Sequence, residues 1–87
     1  MNDPNKLHHI FGKPAHGLGP LVRQYGSQQS AGQAIYDVVN SAHQNGSLRS
    51  DGVGYYKQLF DIGGNMVTVS GRVVDGIVYV GTAWIAP

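Results

Sequence analysis

With 87 residues the chain has room for one hydrophobic core and not for two, so it reads as a single domain of about two helices and a small sheet. An apolar fraction of 41% suffices for a packed interior, a charged fraction of 13% is too low for a solvated disordered segment, and the lack of cysteine removes disulfide frameworks, zinc fingers and thiol nucleophiles. A net charge of +1 does not by itself attract nucleic acid, so phosphate contacts have to come from a local cluster. Lys6, His8, His9, Lys13, His16 and Arg23 crowd the start of the chain, whereas the acidic residues after Asp3 begin only at Asp37.

Residues 1–7 read as a polar tail or linker and residues 8–87 as the folded domain. His8, His9, Ile10 and Phe11 form a short apolar piece that runs into Gly12, Lys13 and Pro14, which places the histidines near a loop. Leu18, Leu21, Val22 and Tyr25 recur at helical spacing, with Pro20 at a first-turn position and Gly26 just beyond, and predict a short first helix. Ser27 or Ser30 can cap a second helix, in which Ala31, Ala34, Ile35, Val38, Val39 and Ala42 form one stripe until Asn45 and Gly46 end it. Turn chemistry fills the stretch from Gly46 to Gly54.

The period then changes. Tyr55 to Ile62, Met66 to Val74 and Ile77 to Ile85 are rich in β-branched and aromatic residues, separated by Gly63-Gly64-Asn65 and by Asp75-Gly76. They predict a three-stranded antiparallel meander. The Asp-Gly pair favours a two-residue turn with positive φ at both positions, which sets the register. Counted from it, Val74 faces Ile77, Arg72 faces Tyr79, Ser70 faces Gly81 and Thr68 faces Ala83 on one side, while Val67, Val69, Val73, Val78, Val80 and Trp84 share the other. The expected fold is therefore α+β, with two N-terminal helices packed on one face of a small antiparallel sheet and the opposite face open. No stretch is long and apolar enough to span a membrane, and the N-terminus has no apolar secretory core, so neither an export signal nor an anchor is expected in this stretch.

Two constellations carry chemistry. Histidines titrate near neutral pH, and two of the group His8, His9 and His16 in one loop region can supply the base and the acid that metal-free RNA cleavage needs; the competing reading is that they are exposed or capping histidines. On the last hairpin, Arg72 with Ser70, Tyr79 and Thr82 forms a cation and hydroxyl set suited to the charge that builds on a phosphate under attack. Strict alternation puts Thr82 on the apolar side, yet a bulge at Gly71 or Gly81 would turn it to the open face. Lys13 and Arg23 are candidates for flanking phosphates, with Lys57 more distant, although solvated surface is the commoner role for such side chains. Trp84 and the tyrosines can stack bases, but aromatics in strands are usually core, and the counted register puts Trp84 there. Without cysteine, a His-x-x-x-His pair or clustered carboxylates, no metal site is expected and no cofactor is implied.

Two phrases go beyond pattern. His8-x-Ile10-Phe11-Gly12-x-Pro14-x-His16-x-Leu18 at the start, and Gly71-Arg72-Val73-Val74-Asp75-Gly76 followed by Gly81-Thr82-Ala83-Trp84-Ile85 at the end, resemble the C-terminal toxin domains of filamentous-haemagglutinin-like contact-dependent growth inhibition proteins and related polymorphic toxins. The resemblance covers nearly the whole chain from His8. It implies a barnase/EndoU/colicin/RelE-like fold and a metal-independent ribonuclease, often directed at tRNA, with His8, His16, Arg72 and Thr82 as the matching catalytic positions; His9 matches no motif histidine. It also implies delivery within a large secreted exoprotein, action in the cytoplasm of a target bacterium and neutralisation by a cognate immunity protein. The small number of cations leaves a role for a host factor such as elongation factor Tu. The alternatives are a non-enzymatic protein-interaction module and, ranked last because the five acidic residues are not clustered, a DNase.

Overall fold

A computed structural model describes residues 17–85, and the histidines and lysine predicted at His8, His16 and Lys13 lie outside the described residues. Helix α1 spans Gly19–Tyr25, with Pro20 in its first turn and Gly26 in the left-handed conformation at its end, where the Gly26 N–H donates to the Val22 carbonyl (2.8 Å). Helix α2 spans Gln28–Gln44. Of the two predicted caps, Ser27 is the one used: its backbone is extended and its hydroxyl oxygen accepts from the Ser30 N–H at 3.0 Å, a contribution of about 1 kcal/mol.

Three strands follow, β1 (Tyr55–Ile62), β2 (Asn65–Val74) and β3 (Ile77–Ile85), paired antiparallel in the order β1-β2-β3. The fold is thus the expected α+β arrangement of two helices against a three-stranded antiparallel sheet. Asn65 belongs to β2 rather than to the connection, which leaves Gly63-Gly64 as a two-residue turn like Asp75-Gly76; all four of these residues have positive φ, the condition that selects such residues for tight hairpins.

One stripe of α2, made of Ala31, Ile35, Val39 and Ala42, covers the sheet face that carries Tyr56, Phe60, Ile62, Val67, Val69, Val78, Val80 and Ala83. Each fully buried valine or isoleucine side chain there stabilises the fold by about 1.5–3 kcal/mol relative to exposure. Leu21 of α1 and Leu18, which immediately precedes the helix, complete the core. Helix α1 is pinned to the end of the sheet that holds the Gly63-Gly64 turn. There Gln24 Nε2 donates to the Gly63 carbonyl (2.9 Å) and Asn65 Nδ2 donates to Gln24 Oε1 (2.8 Å), while the Gly17 backbone lies against the Ile85 carbonyl. The Asp75-Gly76 turn is at the other end.

The register between β2 and β3 departs from uniform alternation. Arg72 does face Tyr79, but the pairing shifts between Ser70 and Gly71, so that Gly71 faces Val80 and Ser70 faces Thr82, with Gly81 as the additional residue on β3. Because side chains alternate with a period of two, one inserted residue moves every later side chain to the opposite face. Ser70 therefore faces Thr82 and not Gly81, and Thr68 faces Trp84 and not Ala83. Ala83 is fully buried in the core, and the expected core position of Trp84 is corrected: its half-buried ring lies on the open side, with Lys57 Nζ 5.3 Å from the ring centroid.

Candidate functional site on the open sheet face

The bulge has an identifiable physical support. Tyr56 faces the core from β1, opposite Gly71, and its hydroxyl donates to the Tyr79 carbonyl at 2.9 Å, passing over the place where a β-carbon on Gly71 would stand. A buried hydroxyl needs a partner, and the distorted stretch of β3 offers it a carbonyl. Tyr56 is only 1% exposed, and burial pushes its phenol above the ordinary tyrosine range. The consequence for stability is alkaline. Below the unfolded-state value of about 10 both states hold the proton; above it the unfolded chain ionises while Tyr56 resists, so stability falls as pH rises toward the folded value. Tyr56→Phe, which removes the titrating group and leaves the Tyr79 carbonyl without its donor, is expected to cost about 1–3 kcal/mol at pH 7 and to lessen the decline above pH 10. Urea unfolding at both pH values reads both effects, and an unchanged alkaline decline in the variant contradicts the assignment.

With Thr82 turned outward, four predicted site residues meet. Ser70, Arg72, Tyr79 and Thr82 line one hollow of about 620 Å³ on the open face, together with Tyr55, Gly71, Val74 and Gly81. Arg72 is the one charged side chain in that lining and is exposed, whereas Ser70 is buried at the base, between Lys57 on β1 and Thr82 on β3. The arrangement offers a guanidinium able to bind an oxyanion at two points, two hydroxyls a row away and two tyrosine rings.

Other predicted residues lie elsewhere. Arg23 is exposed on α1, whose neighbour Gln24 is bound to the Gly63-Gly64 end of the sheet, and it does not line this hollow. Lys57 points to the open face but rests over Trp84. Tyr55, which the sequence reading did not single out, stands directly opposite Arg72, a pairing that follows by counting back from a two-residue Gly63-Gly64 turn. A second hollow of about 410 Å³, between the end of α2 and β1, holds none of the predicted site residues. Among the described residues no group of three or more histidine or acidic side chains is placed to hold a metal ion, and no helix is long and apolar enough to cross a membrane.

What the fold and the hollow define together is a small α+β domain with one helix-covered sheet face and one open, aromatic and hydroxyl-bearing face centred on an arginine. No family model matches the chain, and no curated protein or solved structure is significantly similar to it.

Proposed function

We propose that this domain is an RNA-cleaving toxin effector of the barnase/EndoU/colicin/RelE kind, acting by metal-independent transesterification. The observation that carries the reading is the gathering of Arg72, Ser70, Thr82 and Tyr79 around one hollow, with Thr82 brought there by the bulge. In the proposed reaction a ribose 2′-oxygen attacks the adjacent phosphorus and gives its proton to an imidazole of His8 or His16. The 5′-oxygen leaves with a proton from the other imidazolium, and a 2′,3′-cyclic phosphate and a 5′-hydroxyl end result. Arg72 binds the non-bridging oxygens as their charge grows, and the Thr82 and Ser70 hydroxyls donate beside it. Lys13 and Arg23 serve neighbouring phosphates in this scheme.

The biological setting proposed with it is delivery within a larger secreted exoprotein, action on tRNA in the target-cell cytoplasm, with elongation factor Tu as an aid, and blockage by an immunity protein. A protein-interaction module is the second reading, favoured by Leu59, Met66, Val74 and Ile77, which are apolar and exposed on the same open side. The test is incubation of the purified chain with tRNA, with and without elongation factor Tu, in excess EDTA. Cleavage leaving 5′-hydroxyl ends is expected. Intact RNA under both conditions, or activity lost on chelation and restored by a divalent ion, overturns the proposal.

A further inference from the structure

Tyr55, Arg72 and Tyr79 occupy one cross-strand row, since Tyr55 pairs with Arg72 on one side and Tyr79 pairs with it on the other. Neighbouring strands are about 4.8 Å apart, so the two tyrosines start about 10 Å from each other with the arginine between them. Both remain substantially exposed, 42% for Tyr55 and 51% for Tyr79, while the adjacent Tyr56 is wholly taken up by the core. All three residues line the same hollow, and Arg72 is its single charge.

We infer that Tyr55 and Tyr79 are base-stacking platforms on either side of a phosphate bound by Arg72, and that the ligand of this face is an unpaired stretch of RNA. This rests on the RNA reading above and adds the strandedness of the substrate and the residues that select it. An exposed aromatic ring next to a guanidinium matches the alternation of flat base and anionic phosphate along a single strand. A duplex keeps its bases stacked on one another and is held mainly through several phosphates at once, which a hollow with one cation does not provide.

The platforms stand on fixed backbone. Asp51 Oδ1 accepts from the N–H groups of Val53 (2.9 Å) and Tyr55 (3.0 Å), its own N–H donates to the Tyr55 carbonyl (2.8 Å), and the Val73 N–H donates to the Gly54 carbonyl (2.8 Å). The Tyr79 carbonyl is held by the Tyr56 hydroxyl. Little ordering is then required when a base arrives. Trp84 is different, because Lys57 already lies over its ring.

The experiment uses the full chain and two labelled probes, a single-stranded oligonucleotide with 2′-O-methyl groups throughout and a duplex of the same length and chemistry, followed by fluorescence anisotropy. The methyl groups block the attacking oxygen, so binding is read without cleavage. The single strand is expected to bind at least about tenfold tighter than the duplex, and Tyr55→Ile or Tyr79→Ile to weaken it about 5- to 150-fold, the range for losing one stacked base. Isoleucine keeps strand propensity, and phenylalanine at either position, which keeps the ring face, restores the affinity that isoleucine removes. Equal binding of duplex and single strand, parental affinity in the folded isoleucine variants, or no binding of either probe overturns the inference. A parent that binds the methylated single strand but never cuts unmodified RNA leaves the inference standing and removes the ribonuclease. One that cuts RNA while the isoleucine variants bind normally does the reverse.

Discussion

Gly71→Ala is expected to destabilise the domain by about 3 kcal/mol, at the upper end for overpacking a filled interior. An added β-carbon would stand 2.0 Å from the Tyr79 carbonyl oxygen and 2.7 Å from the Tyr56 hydroxyl. The first contact is with backbone of the paired strand, which cannot yield without opening the bulge, and the second is with a buried side chain held in a hydrogen bond. Alanine also lowers the entropy of the unfolded chain, which favours folding by about 0.4–1 kcal/mol, and that gain is too small to reverse the sign. Since small domains have only about 5–15 kcal/mol in total, the variant should show a clear fall in urea midpoint and, through displacement of Thr82, a loss of RNA cleavage larger than the loss of stability explains. Wild-type stability in Gly71→Ala would falsify the account of the bulge.

The largest functional effects are expected at Arg72 and His16. Arg72→Ala should lower the cleavage rate by about 10²- to 10³-fold if its guanidinium stabilises charge that develops in the transition state. Arg72→Lys keeps the charge but loses the planar two-point donor and should remain impaired. Both variants should unfold like the parent, because the Arg72 side chain is exposed. His16→Ala removes a proton-transfer group, for a loss of about 10²- to 10⁴-fold. The measurement is single-turnover RNA cleavage with any required host factor, after cooperative unfolding has been checked. Parental rates in folded His16→Ala move the role to His8 or His9.

Much of this architecture is local and could be read before any contact was known. A serine cap, a Pro-first and Gly-last short helix, a helical stripe from Ala31 to Ala42 and two pairs of turn residues each act within a few positions, so the order of helices and strands and most of their limits follow from spacing, the start of β2 at Asn65 excepted. The register nearest the Asp75-Gly76 turn is of the same kind, and it correctly sets Arg72 opposite Tyr79. Tyr55 opposite Arg72 was equally legible, once Gly63-Gly64 is taken as a complete turn.

The bulge is of another kind. Glycines at positions 71 and 81 permit it, but permission is not placement, and either glycine is compatible with an uninterrupted ladder. What decides it is a hydroxyl arriving from β1, the strand on the far side of β2, which takes the Tyr79 carbonyl and requires the space beside Gly71 to stay empty. That contact joins residues far apart in the chain, so no local pattern announces it. It exchanges Ala83 for Trp84 in the core and delivers Thr82 to the open face. The residue types of the candidate site were thus determined by the sequence read locally, and their meeting in one hollow was decided only by the tertiary structure, because a single inserted residue reverses the facing of all that follow it in a strand.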